Sequence, residues 1–462
     1  MPLPKIAPII VAALPISDDL TAEELLEYHK KIVFGLLEQG IRVTSYACDG
    51  TETERALQRL FLNSADRVIR HVIKNPRAGF PDTVIMIGIF KGHAIVMLQD
   101  SKHGLKTFCN NLFSGARLLV LGDYTAIYSH IEELAFASGS PLYHRDVHKL
   151  DRQDDNAAAR LFSGATFDFL AKHYPHYLGE LIYLFIFGEL IDAYQNRNIS
   201  HKERIKLVLR ARYFVDHWQY YLGATGYPEA QYLLLREAVD IVSYLVDGLI
   251  GLVLIYRDMH NGSQPLLPWL HSTEPCKHVF GEARMIVKDF AMLDFFYMTT
   301  RLRIKLREAV LHSHTLDFKA RASGYCHTYT SNKGVDLNTL SLFPTDDEIQ
   351  EAAQAAIEEC ESIFSLLGID VALLRDITTG QLSQPHVQLP SISSWFPDND
   401  EHVVPDIEDD DDEEEEDEAT ELQACMDYFE DNDLHLTHSQ EQKVTKLSCA
   451  AMAIVGDEMG RV

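Results

Sequence analysis

The chain changes character near residue 150. From residue 152 to 259 apolar residues recur at helical spacing with few strand signals, and breaks fall only near Tyr174-Pro175, residues 196–200 and residues 223–228. A stretch of that length and period reads as an all-α unit. Upstream, short apolar runs at residues 6–14, 41–48, 83–90 and 94–99 are interleaved with helical patterns. One helix opens at the Thr21/Glu24 capping box and ends at Gly40; a second follows Asp49-Gly50 and runs to about Lys74. Strand, helix, strand, helix, strand, strand is the order of an α/β sheet. The predicted fold class is therefore α/β plus all-α: a partial sheet domain over residues 1–150, interrupted by a helical insertion over 151–260. Residues 261–370 return to the first core, with helices at 275–311 and 346–367. A Ser/Pro-rich and acidic linker (371–421) and a C-terminal tail (422–462) complete the organisation.

Charge limits the partners. The formal net charge is −28; twelve of those negative charges lie in residues 406–418, and without them −16 remains. Nucleic-acid binders usually carry a basic face, so the balance opposes strong DNA affinity unless a local basic groove exists. The acidic run offers too little apolar surface to offset chain entropy and is expected to be disordered. Seven scattered cysteines without a CxxC pair read as reduced thiols in a nuclear or cytoplasmic, non-secreted protein. The apolar stretch 238–256 contains Asp240 and Asp247, so a buried helix is expected and no membrane partner.

Three segments carry candidate chemistry. The first is Ser45-Tyr46-Ala47-Cys48-Asp49-Gly50 with Glu54-Arg55, where Asp49 is either a ligand-site carboxylate at a strand end or a helix cap. The second runs from Asp100 through Ser101, Lys102, His103, Gly104, Leu105, Lys106 and Thr107 to Asn110, Asn111 and Leu112. Asp100 is either a divalent-cation ligand alongside Asp49 or an N-cap, and Lys102, His103 and Lys106 are either phosphate contacts or a solvated face. The third, residues 272–284, contains Thr273, Glu274, Pro275, Lys277 and Arg284 and also reads as an ordinary helix start. His173 and His176 lack a third ligand nearby and read as packing or surface residues.

In this order the segments resemble transposases of the P-element type, whose core is RNase H-like. Asp49-Gly50 with Arg55 is similar to the strand assigned to that family's second aspartate. Asp100, His103, Leu105, Lys106, Thr107, Asn110, Asn111 and Leu112 match the family's Asp-Pro-Pro-His-Leu-Leu-Lys-Thr-x-Arg-Asn-Asn-Leu, with Cys109 where arginine is usual. Asp151 to Asp154 with Ala159 to Ser163 resembles the lead into the family's helical insertion, and Phe187 to Arg197 one of its internal stretches. Residues 272–284 resemble the helix carrying the last catalytic acid. The similarity extends from about residue 6 to about residue 310.

The resemblance implies a partial RNase H-like sheet, a two-Mg²⁺ centre acting on DNA, and DNA contacts from Lys102, His103, Lys106, Asn110 and Arg284. It also implies GTP as a family cofactor, for which no binding residue is assigned. Asp49 and Asp100 would be the metal ligands. The last acid falls at position 277, which is lysine here, and a cation there repels a metal ion. Glu274 and Glu282 are the substitute acids, expected to point in other helical directions. The family's first-aspartate strand and zinc module have no counterpart, so the chain reads as one starting at the third strand. Three functions follow. One is an inactive, transposon-derived or host-adopted factor binding nucleic acid or protein. Another is an active metal-dependent transposase or nuclease using a substitute acid. The third is a nuclear interaction protein whose acidic run engages basic partners such as histones. The oligomeric state is left open.

Overall fold

The computed structural model describes residues 8–14, 20–115, 117–148, 154–312 and 335–372. The acidic run, the C-terminal tail and residues 151–153 lie outside these. The Thr21 side chain accepts from the Glu24 backbone N–H at 3.3 Å, and Glu24 Oε2 accepts from the Thr21 N–H at 3.0 Å. This reciprocal cap starts α1 (Ala22–Glu38). Strand β1 (Ser45–Cys48) is followed by α2 (Glu52–Asn63), β2 (Arg67–Ile73), β3 (Thr83–Phe90), β4 (His93–Gln99) and α3 (Ser101–Phe113).

These elements build a four-stranded sheet of order β1-β4-β3-β2, in which β2, β3 and β4 form an antiparallel meander and β1 adds parallel to β4. Three expectations need correction. Residues 8–14 form no strand; Ile9, Val11 and Leu14 are exposed, while Ile10 rests on a separate helical cluster. The helix after Asp49 stops at Asn63, and Arg67–Ile73 is a strand because its backbone finds a partner in β3. The strand before Asp49 begins at Ser45, not at residue 41.

Alternation along β4 shows how the sheet is covered. Ile95 and Met97 face α1 and α2, joining Val33, Leu37, Phe61 and Phe90. Val96 and Leu98 point the other way, into the large helical core. That core is reached through β5 (Leu119–Leu121), β6 (Tyr124–Ala126), α4 (Tyr128–Phe136), α5 (Arg145–His148), α6 (Asp155–Leu161) and α7 (Gly164–His173). Its centre is α8 (Leu178–Gln195), α9 (His201–Thr225), α10 (Glu229–Tyr232) and α11 (Arg236–Leu254), which continues as a π turn, Ile255–Met259. Helix α11 lies against β4, and glycine at 248 and 251 permits this, since a side chain there would collide with Leu98 and Val96. The helix is long and apolar enough to cross a membrane, but most of its apolar length is buried inside the fold.

The last elements are α12 (Glu274–Arg284), α13 (Met292–His312) and α14 (Asp346–Leu366). The single helix expected over 275–311 is two, broken at residues 285–291. Helix α14 packs along α9, with Arg210 bound to Glu359 at 2.7 Å, and its Ile357, Cys360 and Phe364 are buried in the same core as the sheet. Helices α12 and α13 instead share a small cluster of Val279, Ala283, Phe295, Met298, Leu302 and Leu306. Cys48, Cys109 and Cys360 are buried free thiols, and Cys276 is exposed.

Candidate functional site

Strand register builds the first half of the site. Cys48 pairs with Gln99, so the next residue on each parallel strand, Asp49 and Asp100, leaves the sheet side by side at its carboxyl end. Open α/β sheets place ligand sites at such ends. Asp100 N–H donates to Cys48 O at 2.9 Å and extends the ladder one step further. Its carboxylate then caps α3, accepting from the Lys102 N–H at 3.2 Å. Asp49 caps nothing: Thr51 closes the start of α2 with Glu54, leaving the Asp49 side chain free to face the site. Between them Gly50 holds φ +95°, and a methyl group there would run into the Gln99 side chain, which donates to Asp49 O. Arg55 grips the same turn through Gly50 O at 2.5 Å and ties it to α11 through Glu237 at 2.9 Å.

The second half arrives from residues 271–277. His271 anchors this segment: its Nδ1 lies 2.8 Å from Ser45 Oγ and its Nε2 3.3 Å from Tyr256 OH. Desolvation lowers its pKa to about 4, so it serves as a neutral bridge. Thr273 Oγ1 then sits 2.6 Å from both Asp49 Oδ1 and Asp100 Oδ2. A hydroxyl has one proton, so it donates to only one of them at a time. Lys277, one turn into α12, places Nζ 3.1 Å from Asp100 Oδ2, 3.7 Å from Asp49 Oδ1 and 4.0 Å from Glu274 Oε1.

Burial opposes ionisation of Asp100, but the Lys277 charge, the Thr273 hydroxyl and the Lys102 N–H together hold its carboxyl below the usual carboxylate range. Burial likewise works against the Lys277 charge, and Asp100 with Asp49 overcomes it and raises that ammonium. Glu274 is pushed up by burial, which Lys102, 2.7 Å away, only partly offsets.

The structure thus brings together Asp49, Asp100, Glu274, Lys102 and Lys277. Glu274 corrects the expectation that it points elsewhere: three residues on a helix share a face, and it borders Lys277. Glu282 does lie apart, bound to Lys305 at 3.5 Å. Lys106 is buried and paired with Asp155 at 3.2 Å. His103 and Asn110 are partly exposed on α3, and Arg284 is exposed at the end of α12. His173 packs on Phe169 and His176 on Tyr177, as expected of packing residues. The sequence alone assigns no role to Thr273, Gln99 or His271, because the aspartates and Ser45 that they contact stand 50 to more than 200 residues away and leave no local signal.

A divalent cation does not fit this arrangement. Mg²⁺ needs oxygen ligands around an open centre, whereas here an ammonium and a hydroxyl fill the space between the carboxylates. Among the described residues no three His, Cys, Asp or Glu side chains are grouped to hold a metal ion.

Compared with known proteins, the chain matches no family model and no curated protein. Among solved structures it is similar to a chain of the Drosophila P element transposase strand transfer complex. The identity is 14% and the TM-score 0.44, over 63% of this chain and 64% of the transposase chain, less than two thirds of its length.

Proposed function

We propose that this chain is a transposon-derived protein of the P-element type whose acid centre has become an internal ion-pair cluster, so that it binds but does not cut DNA. The reading starts from the ordered motifs around Asp49, Asp100 and residues 272–284. One observation carries it: the Lys277 ammonium lies within 4 Å of both Asp49 and Asp100, where a bridging metal ion would otherwise be required. With the ammonium there, the cluster carries two lysines against three acids and has little charge left to attract a cation. Lys102 and Lys106 are engaged with Glu274 and Asp155, so phosphate contacts fall to His103 and Arg284 rather than to the lysines. DNA, in the nucleus, is the proposed partner. GTP is given no role.

The test pairs calorimetric titration of Mn²⁺ and Mg²⁺ with cleavage and strand-transfer assays on duplex DNA. The unmutated protein is expected to bind neither ion measurably and to leave DNA intact. Lys277→Glu exchanges the repelling cation for an oxygen ligand and should raise metal affinity without restoring strand transfer. Equal, negligible metal binding by both proteins refutes a cation-substitution role for Lys277. A second reading, an active nuclease using Glu274 as the last acid, is favoured by the position of Glu274 beside Lys277. Metal-dependent cleavage by the unmutated chain, lost in Glu274→Gln, would establish it instead.

A further inference from the structure

Helix α13 buries one face and presents another that nothing among the described residues covers. Phe295, Met298, Leu302 and Leu306 pack toward α12. On the outer face Leu293, Phe296, Tyr297 and Ile304 are exposed, Phe296 at 70% and Tyr297 at 75%. Singly exposed apolar residues are ordinary, but a contiguous row on one helix marks an interaction site. The same face continues into Arg301, Arg303 and Arg307, all exposed and without an acidic partner at salt-bridge distance among the described residues. Read from its N-terminus, the face is first aromatic and then basic. In a chain of net charge −28 it is a local exception.

A segment of this chain outside the described residues has the complementary order. Trp395-Phe396 and Val403-Val404 precede the twelve acids of residues 406–418, so this segment reads first apolar and then acidic. We infer that residues 395–418 dock on the outer face of α13. Trp395 and Phe396 cover Leu293, Phe296 and Tyr297, and the acids engage Arg301, Arg303 and Arg307. The described chain reaches residue 372, and the 33 residues from 373 to 405 span up to about 110 Å when extended, ample reach for either end of the helix. Because the two partners are covalently joined, weak pairing suffices: tethering supplies an effective concentration that a free ligand lacks. A free polyanion such as nucleic acid must instead approach against the field of the whole chain.

The experiment is zero-length carbodiimide coupling of the full chain, which joins lysine amines to carboxylates in contact, read by peptide mass spectrometry on the monomer fraction. Lys288, exposed on this hairpin, and Lys305 on α13 are the amines on hand. Cross-links from them to residues 406–418 are expected at low salt. They should be lost at about 1 M salt, where the screening length falls to about 3 Å. Arg301→Glu, Arg303→Glu and Arg307→Glu combined should abolish them while leaving far-UV circular dichroism unchanged. Replacing six acids of the run by lysine in that triple variant, with read-out by a carboxylate-to-lysine coupling in the reverse sense, should restore them. Three outcomes overturn the inference. Cross-links that survive the triple substitution place the run elsewhere. Coupling confined to the dimer fraction makes the occupant a second copy. Absence of coupling together with single-stranded DNA binding that the triple substitution removes makes it a nucleic acid in trans.

Discussion

Replacing Lys277 by methionine keeps most of its apolar stem and deletes the charge, which isolates the ion pair with Asp100. The Asp100 carboxylate is wholly buried, and Lys277 is the nearest positive charge, at 3.1 Å. At an effective dielectric of about 20 that separation corresponds to roughly 5 kcal/mol of attraction before desolvation. Removing one partner of a buried pair typically costs about 3–5 kcal/mol. Two features reduce the cost here: the lysine side chain is 28% exposed, and the Thr273 hydroxyl and Lys102 N–H remain as neutral donors. The expected loss is therefore about 2–3 kcal/mol at pH 7. Its pH dependence follows from the sign of the shift. In the wild type the folded carboxyl lies below its unfolded value near 3.9. Its contribution is thus present above that value and lost as pH falls through the folded one. In the variant the buried acid has no cation and takes up a proton more readily, so the deficit should shrink between pH 7 and pH 4. Urea unfolding at both values measures this. Asp100→Asn in the Lys277→Met background should recover most of the loss, the coupling expected of groups in contact. A Lys277→Met protein within about 0.5 kcal/mol of wild type at pH 7, the range of ordinary surface changes, would refute the reasoning.

Two further substitutions probe the surroundings. Gly50→Ala places a side chain at φ +95° against Gln99 and should lower stability by about 1–3 kcal/mol, seen as a lower urea midpoint with an unchanged slope. Asp247, on the core helix α11, has its carboxyl raised to about 6 by burial. An acid raised in the folded state costs stability above that value, and the cost is relieved as pH falls through 6 toward the unfolded value. Asp247→Asn should therefore stabilise by about 1–2 kcal/mol at pH 7 and by almost nothing at pH 4.

What the sequence determined by itself was local. The Thr21/Glu24 box sets the start of α1, and the helical period over residues 152–259 gives the helical core, because caps and periodicity act within a few residues. Asp100 was legible as a helix cap, and it caps α3 beside Asp49 at the carboxyl end of the sheet. Asp49 was legible as a carboxylate at a strand end, though Thr51 takes the capping role. Tertiary structure decided the rest. Arg67–Ile73 is a strand only because β3 supplies its hydrogen bonds, whereas the apolar residues 8–14 find no such partner and stay exposed. Strand formation is settled by pairing with a distant segment, and a short apolar run does not encode whether that partner exists. The meaning of Lys277 was decided in the same way. In the sequence Lys277 is one basic residue near a helix start, and its role as the counter-charge of Asp100 depends on a contact spanning 177 residues. Thr273 joins the two aspartates from a comparable distance. Charges that meet only in the folded chain acquire their energies from burial and geometry, and neither exists until the chain has folded.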